Sequence, residues 1–222
     1  MTIILAFPVK DGLLIASDSQ ITSGIVRTTG KKIKKLNDRC LWSASGELAL
    51  IQRVEENLAG FSTVAQPQPL KTLRDNLSVK IRECVLAFLN LVGGRPITGD
   101  FIFVEYSNKP GILHITLDGT PEWIVDRPFV SGLGDVFAYP LLRKYQGLFP
   151  DKIDMQKGSL LAFKVIEEVI DVVSVGVGPP IDIWQLTASE IKNLNEAEIT
   201  AIEDASHGLR EAELKLFLEN TE

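Results

Sequence analysis

The sequence predicts an α+β fold in which two mostly antiparallel sheets pack together with helices on their outer faces. Two observations carry this. Apolar runs of strand length come in hairpin groups, and stripes at helical spacing come in pairs between those groups. A parallel βαβ chain would alternate single strands with single helices, and this one does not. No repeat of solenoid period is present.

Residues 2–9 and 12–18 are short apolar runs joined through Lys10-Asp11-Gly12, an Asp-Gly hairpin signal. Residues 19–30 are polar and end in Thr28-Thr29-Gly30, which fits a loop or an irregular pair of short strands. Lys31-Lys32-Ile33-Lys34-Lys35-Leu36 leads through Asn37-Asp38 to Cys40-Leu41-Trp42-Ser43-Ala44, a second hairpin. At Ser45-Gly46-Glu47 the period changes. Leu48, Ile51, Val54 and Leu58 form a helical stripe, with Ser45 as its expected cap. Residues 59–69, with two Gln-Pro dipeptides, read as a loop. A long stripe from Leu70 to Leu91 stops at Gly93-Gly94.

Strands are expected over 101–106, 112–117 and 122–130. His114 falls in the second of these as a partly exposed strand histidine. Ser131-Gly132-Leu133-Gly134 is a glycine-rich turn entering a helix. Such turns can hold anions, but a bare Gly-x-Gly does not identify a nucleotide site. Pro140 weakens that helix or marks its first turns. Residues 158–173 form another amphipathic helix, ended by Gly176-Val177-Gly178-Pro179-Pro180. A last strand covers 181–187, and one or two helices fill 195–219.

A chain of 222 residues fits one large domain. Residues 1–189 are read as that domain and 190–222 as an acidic helical extension of it. The extension holds nine acidic and three basic residues, which accounts for the whole net charge of −6. This acidity argues against nucleic-acid or anionic-membrane binding, which needs a basic face. Cys40 and Cys84 sit in apolar periodic segments and read as reduced core residues. With only His114 and His207 present, a zinc site or a Ser-His-Asp triad is not expected, and no cofactor or metal is assigned. The N-terminus lacks the basic region ahead of an apolar run that marks a signal peptide, and no apolar stretch reaches ~18 residues. A cytoplasmic protein is expected.

The chemistry starts at Thr2. A small second residue favours removal of the initiator Met, which would place Thr2 at the N-terminus. Its hydroxyl is then a nucleophile, and its α-amine, titrating near ~7.7–8, is a base on the same residue. The tight hairpin brings the end of strand 12–18, and with it Asp18, beside Thr2. A lysine from the adjacent strand can sit between them. Its charge lowers the hydroxyl pKa, and the carboxylate orients it.

The stretch from Thr2 to Glu47 resembles the start of a proteasome β-subunit, including the bacterial heat-shock peptidase. The matching motifs are Thr2, Lys10-Asp11-Gly12, Ala16-Ser17-Asp18, Thr22-Ser23-Gly24, Gly30-Lys31-Lys32-Ile33 and Ala44-Ser45-Gly46. The segment 132–139 resembles the family's Gly-Ser-Gly-x-x-Phe-Ala-Tyr, and the similarity runs from residue 2 to about 187. The resemblance implies an N-terminal nucleophile hydrolase with a four-layer α-β-β-α sandwich. It makes Thr2 the nucleophile and base, supported by Asp18 and Lys32. Lys32 matches the second lysine of the family's pattern, and strand alternation puts Lys31 on the other face. Gly46 matches the oxyanion-stabilising amide. Thr22 matches the residue whose main chain pairs with an extended substrate. Ile21, Gly30, Ala44 and Leu48 match the first specificity pocket, here small or apolar.

The family likeness further implies a self-compartmentalising homo-oligomer, ring or related assembly, acting on unfolded polypeptide and open to an ATPase unfoldase as partner. Three departures stand out. Leu133 replaces the serine of the Gly-Ser-Gly segment. Ser174 and Val177 replace an Asp and a Ser ahead of the last strand. Lys32 follows Asp18 by fourteen residues, two fewer than in the family, which implies a shortened loop. The losses of polar residues favour, as an alternative, a catalytically silent proteasome-like scaffold subunit. An N-terminal nucleophile amidase or peptide ligase is the third option.

Overall fold

A computed structural model describes residues 2–23, 25–62, 68–125, 127–173 and 176–219, without the side chains of residues 23 and 62. Strands β1 (Ile4–Val9) and β2 (Gly12–Asp18) form the hairpin that the Asp-Gly signal marks, with Ile4 opposite Ser17 and Val9 opposite Gly12. Every residue of both strands is buried. Such strands carry apolar side chains on both faces, which explains why they read as continuous runs, not alternating ones.

The first sheet has the order β10-β1-β2-β11-β12, with β10 Phe129–Ser131, β11 Ile181–Leu186 and β12 Ile191–Asn193. The second is β5-β6-β7-β8-β9, with β5 Lys34–Lys35, β6 Cys40–Gly46, β7 Gly99–Tyr106, β8 Pro110–Thr116 and β9 Pro121–Ile124. Every strand pair is antiparallel. A separate ribbon, β3 (Gln20–Ser23) and β4 (Val26–Thr29), covers the stretch expected as a loop or irregular pair.

Three apolar clusters define the layers. Ile4, Ala6, Leu13 and Ile15 of the first sheet meet Leu41, Ile102, Val104 and Ile112 of the second. On the far side of the first sheet, Ile3, Leu5, Phe7 and Leu14 pack under α3 (Asp135–Arg143) and α4 (Met155–Val172). On the far side of the second, Trp42, Ala44, Phe101 and Phe103 pack under α1 (Leu48–Ser62) and α2 (Leu70–Leu91). The molecule is therefore an α-β-β-α sandwich. Each fully buried Leu, Ile or Phe contributes about 1.5–3 kcal/mol of transfer free energy, so the three clusters dominate the stabilising side.

Three local readings are corrected. The strand expected over 122–130 is two strands in different sheets, β9 pairing with β8 and β10 with β1, and Pro128, which has no N–H, immediately precedes β10. Ser45 does not cap α1. It belongs to β6, and the first helical carbonyl is that of Glu47, which accepts from the Ile51 N–H. Pro140 lies inside α3 past its first turn, within the helix the sequence places it in. The segment 190–222 opens with β12, whose pairing with β11 extends the first sheet, before a single helix α5 (Glu196–Glu219) packs on α4. Among the described residues no helix is long and apolar enough to cross a membrane.

Candidate active site

The hairpin geometry decides the site. Thr2 precedes β1 and is only 7% exposed. Asp18 closes β2 and has no exposed surface. Its Oδ1 accepts the Ile3 N–H at 3.0 Å and the Lys32 ammonium at 2.6 Å. Its Oδ2 accepts the N–H groups of Gln20 at 3.1 Å and Gly178 at 3.0 Å. A carboxylate has about four acceptor positions, and all four are used. This is what makes a wholly buried charge tolerable. The Ile3 N–H belongs to the peptide unit that begins with the Thr2 carbonyl. Asp18 thus holds the backbone of Thr2 directly.

Lys32 reaches the carboxylate from the stretch between β4 and β5, with its side chain 8% exposed. Burial pushes its ammonium below the usual lysine range, and the Asp18 charge and hydrogen bond oppose that shift. The Ser43 hydroxyl of β6 donates to the Lys32 carbonyl at 2.9 Å and anchors this stretch on the second sheet. Lys31, its neighbour, is exposed.

Gly46 ends β6 with φ +119°, a left-handed conformation that glycine tolerates. A Cβ there would also collide with the Thr98 carbonyl and Gly99 Cα. Gly132 has φ +103°, and its α-carbon backs onto the Thr2 carbonyl. Gly134 is packed against Ile3. The glycine-rich turn is therefore the wall behind the chain start. Leu133, in the family's serine position, is 51% exposed. Val177 is buried in the apolar layer under α4, so the second polar position is filled by core. Ser174, the third, lies outside the described residues, as do Met1 and Gly24.

Of the residues matched to the specificity pocket, Ile21 and Gly30 are in direct contact, since the Ile21 Cδ1 fills the space a Cβ on Gly30 would take. Ala44 is 5% exposed and faces the α1–α2 layer, and Leu48 opens α1 at 43% exposure. Thr22 pairs with Arg27 in the ribbon and accepts a hydrogen bond from the Gln20 side chain at 3.0 Å. Ala44 packs in the α1–α2 layer, whereas Ile21 lies on the β3–β4 ribbon.

The proteasome subunit family profile matches residues 2–178. This chain belongs to the proteasome subunit family. Two solved structures share its fold. One is the Anbu (Gly-1) mutant from Hyphomicrobium sp. strain MC1, with 18% identity and a TM-score of 0.74 over 98% of this chain and 97% of that one. The other is Anbu, described as an ancestral β-subunit, from Yersinia bercovieri, with 16% identity and a TM-score of 0.76 over 97% of each chain. No curated protein sequence gives a significant match.

Three residues were not legible as such in the sequence. The Gly178 amide donates to Asp18 from a segment that reads only as a helix stop. A Cβ there would press on the Gln20 side chain. Asp100 and Ser131 form a polar pair beside the site, described below. Away from it, Glu167, Glu203 and His207 bring their ligand atoms within 4.8 Å of one another on α4 and α5, although neither sequence histidine suggested a cluster. Glu167 already accepts from Ser206 and pairs with His207 and Arg210 there.

Proposed function

We propose that this family member is a threonine-type endopeptidase acting through an acyl-enzyme on Thr2, in a self-compartmentalising, cytoplasmic proteasome-like homo-oligomer. The observation that carries the proposal is the buried Lys32–Asp18 pair whose carboxylate also grips the Thr2 peptide unit. An ordinary surface ion pair would not be sealed, four-fold donated and tied to the chain start.

The steps follow from the groups present. Once Met1 is removed, the neutral Thr2 amine accepts the hydroxyl proton as Oγ1 attacks the scissile carbonyl. The Lys32 ammonium favours developing negative charge on Oγ1, and Asp18 fixes the ammonium and the backbone. The Gly46 N–H stabilises the oxyanion, an effect typically worth about 2.7–4 kcal/mol. The amine then returns the proton to the leaving nitrogen, so the C–N bond breaks and an ester to Thr2 remains. Water hydrolyses that ester and restores the hydroxyl. The extended substrate, unfolded polypeptide, adds as a strand along Thr22, with an apolar side chain directed to the Ile21–Gly30 pair. An ATPase unfoldase would supply such chains. Residues 1–189 form the catalytic domain in this scheme, and 190–222 its acidic extension.

The apolar fill at Val177 and the exposed Leu133 favour a second reading, a catalytically silent shell subunit. Intact mass and covalent labelling separate the two. Loss of Met1 and a single adduct on Thr2 with a peptide epoxyketone support the peptidase. Retained Met1 with no adduct supports the silent subunit. Thr2→Ala should abolish peptide hydrolysis while leaving assembly size unchanged by light scattering.

A further inference from the structure

A second polar chain crosses the molecule beside the site and is not needed to hold Asp18 or Lys32. The Ser131 hydroxyl lies 2.9 Å from Asp100 Oδ2 and 2.8 Å from the Ser45 hydroxyl. Asp100 Oδ1 lies 2.8 Å from His114 Nε2. The His114 ring rests on Phe129 with centroids 4.9 Å apart, and Glu122 of β9 stands 3.7 Å from its Nδ1. Glu122 is itself paired with Arg127.

Proton counting gives this chain a direction. The His114 and Ser131 hydrogen bonds hold the Asp100 carboxyl below the usual carboxylate range, so it accepts from both. Ser131 has one hydroxyl proton and spends it on Asp100. Its bond to Ser45 must then be accepted, which makes Ser45 the donor. The order is His114 to Asp100, Ser131 to Asp100, and Ser45 to Ser131.

Placement gives it a purpose. Ser45 and Ser131 are 5% and 3% exposed. Ser45 lies on β6 of the second sheet and immediately precedes Gly46. Ser131 lies on β10 of the first sheet, opposite Ile4, and immediately precedes Gly132, which backs onto the Thr2 carbonyl. Their hydrogen bond therefore spans the two sheets at the point where one carries the nucleophile's wall and the other carries the Gly46 amide. Asp100, opposite Ser45 on β7, fixes Ser131 to the second sheet a second time.

We infer that Ser45, Ser131, Asp100 and His114 are positioning residues that set the gap between the two sheets at Thr2, and with it the placement of the Gly46 amide relative to the Thr2 hydroxyl. The inference rests on the peptidase proposal. It supplies rigid polar support on the same turn that carries Leu133 in place of the family's serine. Reacting atoms must sit about 3–3.5 Å apart, and a misplacement near 1 Å costs about 10²-fold. Substrate binding along Thr22 uses a different element, so the effect should fall on kcat.

The test is steady-state hydrolysis of a fluorogenic peptide by the assembled protein, with thermal melts alongside. Ser131→Ala should lower kcat by roughly 10- to 100-fold with KM within about two-fold, and Ser131→Thr, which keeps the hydroxyl, should recover most of the loss. An unchanged kcat in folded Ser131→Ala, or a loss that Ser131→Thr leaves uncorrected, overturns the inference. Should Ser131→Ala fail to fold, Asp100→Ala at the half-exposed end of the chain carries the test, with the same kcat loss expected and an unchanged kcat overturning it. Hydrolysis that survives Thr2→Ala overturns the peptidase proposal and this role together. Hydrolysis that needs Thr2 but ignores Ser131→Ala and Asp100→Ala overturns the positioning role alone.

Discussion

Two regions of this molecule are held by ion pairs of similar length and opposite consequence. At the chain start, Lys32 and Asp18 meet at 2.6 Å with side chains 8% and 0% exposed. Between α4 and α5, Lys164 meets Glu213 at 2.8 Å, His207 meets Glu167 at 2.9 Å, and Arg210 meets Asp171 at 3.3 Å, most of these groups open to solvent. Exposed pairs gain little, because water screens them and long side chains lose freedom. A buried pair has lost the hydration of both charges, and breaking it strands whichever partner remains. The acidic C-terminal segment is the most conspicuous charge feature of the sequence, yet its ion pairs each keep at least one partner open to solvent. One lysine within a run of four carries the consequence.

Asp18→Ala tests that contrast most severely. It leaves the Lys32 ammonium buried and the N–H groups of Ile3, Gln20 and Gly178 without their acceptor. Destabilisation of about 3–5 kcal/mol in urea unfolding and loss of peptide hydrolysis are expected. A change below 1 kcal/mol would place this pair with the surface ones. Gly46→Ala comes next. It forces a side chain into a positive-φ position against the Thr98 carbonyl. A loss of about 1–3 kcal/mol is expected, with hydrolysis falling further than folded content does.

Raising the pH sharpens the comparison more gently. Burial lowers the folded-state pKa of Lys32, so between that value and the ordinary 10.5 the unfolded chain holds more protons. The contribution of Lys32 to stability therefore rises with pH across this window. Under the peptidase proposal activity should move the other way, since the cation proposed to assist Thr2 is lost. Urea midpoints and kcat followed as the pH is raised towards 10.5 should diverge. A kcat that holds level to the top of that window would exclude Lys32 as the working cation. The smallest effect is expected for Arg210→Ala on α5. It should cost less than about 1 kcal/mol, and 1 M salt should erase the difference.

The layer order was legible because strand and helix patterns differ in period and because hairpin signals such as Asp11-Gly12 are local. The split of 122–130 between two sheets was not, since residues 121–124 and 129–131 carry the same strand-like composition and only their partners differ. The neighbourhood of Asp18 and Thr2 was legible for the same local reason: a two-residue turn leaves a hairpin little choice of register. Ser45 shows the opposite case. Its position before a helical stripe suits a cap, and the tertiary fold uses its hydroxyl on Ser131, 86 residues away.

The sequence by itself determined that residues 2–18 form a buried hairpin with Asp18 returned to the chain start, and that Gly46 and Gly132 stand at turns. Periodicity and turn chemistry act over a few residues, so they survive without the rest of the molecule. Only the tertiary structure decided that Gly178 completes the Asp18 shell, and that Ser45, Ser131 and Asp100 tie the sheets together. Each of those outcomes is settled by desolvation. A buried polar group takes whatever donor or acceptor the packed sheets bring within reach, and chain distance does not record which one that will be.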